Sequence, residues 1–159
     1  MDSTPKRAAD SETEMVQVVL PNDANPLGFI LGGTVMHLID IAGAIACHRH
    51  TRTLLVTVAV DGLEFLHPIK VGDLIILKAR VTCVFTTSLE VRVEVHSEET
   101  LTGLRRLTSR AFLTFVAIDR DGCRVKIPPL LVETDEERRE CDAAFARRAE
   151  RLKRKAASG

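Results

Sequence analysis

The sequence predicts an α+β fold in which one central helix is wrapped by a single curved antiparallel sheet of five strands. Three observations predict it. From Thr34 to Cys47 almost every residue is apolar or small and no proline intervenes, which reads as a helix buried on all sides. From Leu54 onward the apolar period changes from 3.6 to 2 and stays there through Ile118. Short turns separate the resulting strands, and short connections imply antiparallel neighbours.

The elements follow in order. Residues 1–12 are polar, charged and without period, and are expected to form a disordered tail. Met15 to Leu20 is a β-branched run ended by Pro21-Asn22-Asp23, a first strand and its turn. The glycine loop Gly28 to Gly33 leads into the helix, whose end, His48-Arg49-His50, suits the negative pole of the helix dipole. Leu54 to Leu66 is a long strand with a bulge expected at Gly62, and Gly72-Asp73 supplies a turn. Leu74 to Phe85 is the third strand, and Thr86-Thr87-Ser88 reverses the chain.

In Leu89 to His96 the apolar residues Leu89, Val91, Val93 and Val95 alternate with Glu90, Arg92, Glu94 and His96. One face therefore packs on the core and the other is expected to meet water. Leu107 to Ile118 is the fifth strand, closed by Asp119-Arg120-Asp121-Gly122, and Pro128-Pro129 ends the sheet region. Thr134 and Glu137 form a capping box, so a last helix should start near Asp135. Cys141, Phe145, Ala149 and Leu152 are its expected apolar stripe. The predicted organisation is a tail (1–12), one domain (13–132), and a C-terminal helix with a basic end (133–159).

Composition narrows the function classes. The chain has 159 residues, with Lys plus Arg equal to Asp plus Glu at 22 each, and this neutral balance argues against general nucleic-acid binding. Cys47, Cys83, Cys123 and Cys141 form no C-x-x-C pair, so free thiols in a reducing compartment are expected rather than a disulfide framework or a zinc site. With no apolar leader and no apolar run near 20 residues, a cytoplasmic protein without membrane contact is expected.

Asp40 interrupts the apolar helix, and an ionised carboxylate there is costly unless paired or put to use. His37, one turn earlier, is a candidate structural partner. Gly28, Gly32 and Gly33 let the backbone approach a ligand, and the first helical amides suit a carbonyl oxygen gaining negative charge. Asp40 lies roughly 10 Å further along the axis. A substrate must then lie along the helix, or a second chain must complete the site. An open five-stranded sheet also leaves exposed edges. A homodimer at least is expected.

Four motifs in order carry a resemblance. They are Asn25-x-x-Gly28-x-x-x-Gly32-Gly33-x-x-Met36-x-x-x-Asp40, then Val58-Ala59-Val60-Asp61-x-x-Glu64-Phe65-x-x-Pro68-x-x-x-Gly72-Asp73, then Thr87-Ser88-x-x-Val91, and Thr114-Phe115-Val116-Ala117-Ile118-Asp119. Across residues 14–135 the chain resembles the hotdog-fold acyl-CoA thioesterases of the brain-type and bacterial cytosolic acyl-CoA hydrolase group. The resemblance implies hydrolysis of an acyl-CoA to free CoA and a carboxylic acid, with Asp40 as the catalytic carboxylate and Asn25 as the loop asparagine. It also implies a site shared across a dimer interface, three dimers forming a hexamer, and Thr57 and Ser88 near the ligand.

On that basis Asp40 is expected to act as general base on a water, or as a nucleophile, with Asn25 orienting the water or the carbonyl. The amide of Gly33, with that of Gly32, would hold the oxyanion, and no metal or cofactor is needed because a thiolate leaves readily.

The bland readings stand beside these. Asn25 could merely shape the turn before Pro26. His48 and His50, beside Cys47, are expected to be helix-end residues rather than metal ligands. Asp61 and Asp73 are expected at bulge and turn. Arg147, Arg148, Arg151, Lys153, Arg154 and Lys155 form either a solvated helix end or a site for CoA phosphates, with Arg105 and Arg106 as other phosphate candidates. Two other functions are weighed: a hotdog hydratase or dehydratase, disfavoured because no histidine precedes Met36, and a non-catalytic acyl-CoA-binding protein.

Overall fold

The computed structural model describes residues 3–159. Its elements are β1 (Lys6–Arg7), β2 (Thr13–Val18), α1 (Gly32–Thr51), β3 (Leu54–Phe65), β4 (Leu74–Val84), β5 (Ser88–Glu98), β6 (Arg105–Ile118), β7 (Leu130–Leu131) and α2 (Asp135–Ser158). The five long strands form one antiparallel sheet in the order β2-β4-β5-β6-β3. Sequential strands are neighbours from β4 to β6, as short turns require. The 66–73 connection instead carries the chain across the sheet, so β3 pairs with β6 and not with β4. Both β2 and β3 are edges.

Helix α1 packs on one face of the sheet through Val35, Leu38, Ile39, Ala42, Ala46 and Cys47, a spacing of three and four residues that forms a single stripe. Across the contact stand Leu89, Val91, Val93 and Val95 of β5 with Leu113, Phe115 and Ala117 of β6. Gly43 permits the close approach, since a Cβ there would lie 3.1 Å from Val91. Gly62 has φ +64° at a register shift between Asp61 and Glu64, the bulge expected at that position.

Four expectations are corrected. The N-terminal stretch, apart from residues 1 and 2, which lie outside the described residues, is built into the fold. β1 pairs in parallel with β7, Lys6 Nζ donates to the carbonyl of His50, and Ala8 and Ser11 are buried. A few contacts with distant segments order a polar stretch that has no period of its own.

The face of β5 that carries Glu90 meets water only in part, because α2 lies over it and leaves Arg92, Glu94 and His96 half-buried. Glu90 is 1% exposed and Arg147 donates to both its carboxylate oxygens. Cys83 and Cys141 are not free thiols but a disulfide that joins β4 to α2, while Cys47 is buried and Cys123 exposed as thiols. The partners lie 58 residues apart, and only the docking of α2 brings them together.

Finally, α2 begins where its cap requires, with Thr134 Oγ1 accepting from the Glu137 amide, but it docks on only part of the expected stripe: Cys141 bonds to Cys83 and Phe145 meets the Phe85 ring edge-on at 5.1 Å. Phe145 and Leu152 are about half exposed and Ala149 is exposed. The rest of its seat is Ala144 and ion pairs: Arg80 with Glu137, Arg92 with Glu140, and Arg151 with Asp61.

Candidate active site

Helix α1 starts without a side-chain cap. Leu31 occupies the capping position, and the first helical bond runs from the Val35 amide to the Leu31 carbonyl at 3.1 Å. The amides of Gly32, Gly33 and Thr34 are therefore left open at the positive pole of the helix dipole.

Two turns along, Asp40 stands on the helix face turned away from the sheet's core. That face is open in the single chain: Met36 is 46% exposed, and His37 and Asp40 are exposed as well. The expectation of a helix buried on all sides is thus corrected. An all-apolar pattern does not say whether a helix's own sheet or another molecule provides the cover.

Asp40 is nonetheless held. Thr57 Oγ1, from edge strand β3, donates to Asp40 Oδ1 at 2.7 Å. The pair lines an apolar groove of about 350 Å³ with Gly33, His37, Val60, Leu63 and Leu113. Asp40 takes its hydrogen bond from Thr57, not from the candidate partner His37, which shares the groove.

Asn25 lies elsewhere. Its Oδ1 accepts from the amides of Leu27 and Phe29 at 3.0 and 3.2 Å, which shapes the loop as the bland reading expected, and its NH₂ group remains a donor. It lines a separate cavity of about 420 Å³ with Gly32, Phe65, His67 and Ser109. Consecutive glycines therefore face different spaces, Gly32 that of Asn25 and Gly33 that of Asp40. Within one chain Asn25 and Asp40 do not share a site.

Ser88 joins neither group. It lines a third cavity, with Thr86, Thr87, Arg124 and Arg148, on the opposite face of the sheet. The basic run of α2 is divided rather than uniformly solvated: Arg147 stacks 3.7 Å from the Phe112 ring and pairs with Glu90, while Arg151 pairs with Asp61. Arg106 lines a small polar cavity with Lys70, whereas Arg105 pairs with Glu98. Asp73 sits in the turn before β4.

Sequence reasoning gave no site role to Val60, Leu63 and Leu113 of the groove or to Phe65 and His67 of the Asn25 cavity. Val60 and Phe65 stand in the second motif, Leu63 and Leu113 had only strand alternation as a signal, and His67, in the 66–73 connection, had none. His48 and His50 diverge, toward the carbonyls of Thr53 and Pro128 respectively. Among the described residues no three His, Cys, Asp or Glu side chains converge on a metal position, and no helix is long and apolar enough to cross a membrane.

The family model of the thioesterase superfamily matches residues 27–104. A Bacillus subtilis protein described as an uncharacterized acyl-CoA thioester hydrolase is 39% identical over 154 residues, covering 96% of this chain and 90% of its own length. A solved hexameric acyl-CoA thioesterase superposes with a TM-score of 0.91 at 39% identity, over 96% of this chain and 98% of the other. The Staphylococcus aureus acyl-CoA hydrolase, solved with butyryl-CoA, CoA and CoA disulfide, gives 0.87 at 33% identity over 96% and 93%. That enzyme has also been solved with an aspartate, an asparagine or a threonine replaced by alanine. On this identity across nearly its whole length, and on the helix-and-sheet architecture it shares with these proteins, the chain belongs to the thioesterase superfamily and has the hotdog fold.

Proposed function

We propose that the protein hydrolyses acyl-CoA thioesters at a site built by two copies of the chain. The observation that carries this reading is the separation of Asn25 from Asp40 into two cavities that meet at Gly32 and Gly33. Edge strand β3, next to the Asp40 groove, exposes Val56, Val58 and Val60 and has its outer backbone groups unpaired. A second β3 added there continues the sheet and brings the partner subunit's Asn25 toward this chain's Asp40.

In the reaction Asp40 takes a proton from water, and the resulting hydroxide attacks the thioester carbon. The oxyanion is held by the Gly33 amide with that of Gly32, and the partner subunit's Asn25 donates its NH₂ to the carbonyl or the water. Collapse breaks the C–S bond, and the proton on Asp40 passes to the departing CoA sulfur. Thr57 holds the carboxylate in position. Because a thiolate leaves readily, the step calls for no metal or cofactor, and CoA enters as part of the substrate.

Support comes from the S. aureus enzyme. Its replaced asparagine, aspartate and threonine are 15 and 17 residues apart in sequence, the spacing of Asn25, Asp40 and Thr57. A trimer of such dimers is the assembly we propose, supported by the hexameric relative.

Thiol release from acyl-CoAs of graded chain length, followed for wild type and Asp40→Asn, tests the reading. Asp40→Asn keeps its circular dichroism spectrum and loses roughly 100- to 10,000-fold in turnover. Equal rates would remove Asp40 from the chemistry.

A further inference from the structure

Strand β3 is irregular at two places, and both lie beside the Asp40 groove. Its pairing with β6 runs Thr57 to Phe115, Ala59 to Thr114, Val60 to Leu113, Asp61 to Phe112 and then Glu64 to Arg110. β3 therefore holds one extra residue between Thr57 and Ala59 and another between Asp61 and Glu64. Each extra residue reverses the side to which the following side chains point.

Regular alternation from Thr57 would send Asp61 to the α1 side and Val60 to the other. The bulges give the opposite. Thr57, Val60 and Leu63 all line the Asp40 groove, while Val58 lines the cavity beside α2 and Asp61 meets Arg151 of that helix. The first bulge thus keeps a second carboxylate out of an apolar groove, and the second brings Leu63 back into it.

Backbone pairing alone holds this register weakly. β3 is an edge with β6 as its one partner in the chain, and only the pairs of Ala59, Val60 and Asp61 lie between the two shifts. Helix α2 supplies the rest. Arg147, Arg151 and Arg154 share one stripe of the helix. Arg147 stacks 3.7 Å from the ring of Phe112, the cross-strand partner of Asp61; Arg151 donates to Asp61 Oδ2 at 2.8 Å, and Arg154 stands 3.7 Å from Oδ1.

A partly exposed ion pair adds little to stability, but it can select one register over its neighbours. Loss of the first bulge would turn Asp61 into the groove and strip it of both guanidinium groups. The chemistry stands on the other side of the same segment. Thr57, where the first bulge begins, donates to Asp40 Oδ1 at 2.7 Å, so the register of β3 decides how that carboxylate is held.

We propose that Asp61 and Arg151 are positioning residues for hydrolysis. Their ion pair fixes the bulged register of β3, and through it the Thr57 hydroxyl on Asp40 and Val60 in the groove. Neither side chain touches the substrate, and the assignment rests on the hydrolase reading.

Steady-state thiol release from an acyl-CoA, with circular dichroism to report an intact fold, tests the pair. Asp61→Asn and Arg151→Ala each lower kcat about tenfold and leave KM within about twofold of wild type. The double variant falls no further than either single one, and Arg151→Lys regains most of the loss. Arg80→Ala, which removes a comparable α2 ion pair away from the bulges, keeps the wild-type kcat. Three outcomes overturn the proposal: additive losses, an equal fall in Arg80→Ala, or a raised KM in Arg151→Ala with Asp61→Asn unaffected, which would make Arg151 a substrate ligand.

Amide hydrogen exchange checks the register without reference to turnover. Both single variants speed exchange across residues 57–63 and leave residues 89–95 as in wild type. Unaltered exchange across 57–63 overturns the proposal. A wild type that cleaves no acyl-CoA would sink the hydrolase reading, and exchange alone would then decide whether the pair holds β3.

Discussion

His50 shows how a single side chain couples this fold to pH. It is fully buried at the end of α1, where Nε2 donates to the Pro128 carbonyl at 2.8 Å. Burial pushes its pKa below the usual histidine range; the Pro128 contact and Asp10 oppose this, and Lys6 adds to it. Burial acts on His96 of β5 in the same direction. Unfolded histidine takes up a proton near pH 6.5, where the folded protein keeps these rings neutral. Stability is therefore complete above about pH 6.5 and declines as the pH falls below it, until the folded rings protonate as well. Melting temperature should drop between pH 7.5 and 5.5, and His50→Gln, which keeps a donor toward Pro128 but cannot titrate, should flatten that slope. An unaltered slope would assign the acid sensitivity to other groups.

Single residues also differ in how openly the sequence declares them. Asp40 was legible because a carboxylate inside an apolar helix stands out. The Thr57 hydrogen bond was not, since hydroxyls are routine on half-exposed strands. Ser88 was placed near the ligand by resemblance alone. The parity of β5 already put it with Glu90, on the face opposite Leu89 and Val91 and so away from α1.

Among the elements, α1 and the strands follow from periodicity, which reports what each segment buries. The limits of α2 also follow, from Thr134, Glu137 and the charge gradient along it. Its docking follows only in part, through Cys141 and Phe145 of the apolar stripe, because ion pairs leave no periodic trace. Glu90 illustrates this: it looks like a solvent-facing strand residue until Arg147 arrives from 57 positions away.

Removing one partner of such a pair strands the other. Arg147→Ala should cost about 2–3 kcal/mol, somewhat less than for a fully enclosed pair because Arg147 keeps some contact with water. Denaturant unfolding checks this. Glu90→Gln in the Arg147→Ala background should recover part of the loss, since it removes the uncompensated charge.

At the level of the whole molecule, β3 is the edge strand at which the proposed second copy joins. The sequence showed that edges must exist but not which strand would be one. The crossing 66–73 connection decides this, and it follows from three-dimensional packing rather than from any local pattern. Val56→Lys places a charge on that edge. It should shift sedimentation toward smaller species and lower thiol release in parallel, with helix and sheet content kept. Full activity in a species sedimenting as a monomer would show that one chain suffices.

The bond between Cys83 and Cys141 makes the protein's response depend on its surroundings. Where oxidants prevail, α2 is stapled to the sheet, and closure of a loop of 58 residues is worth about 4 kcal/mol by chain entropy. Where glutathione parts the two sulfurs, the helix is left on its guanidinium–carboxylate pairs, several of them partly exposed to water, and dissolved ions weaken such pairs. One polypeptide would then be indifferent to brine in one compartment and loosened by it in another.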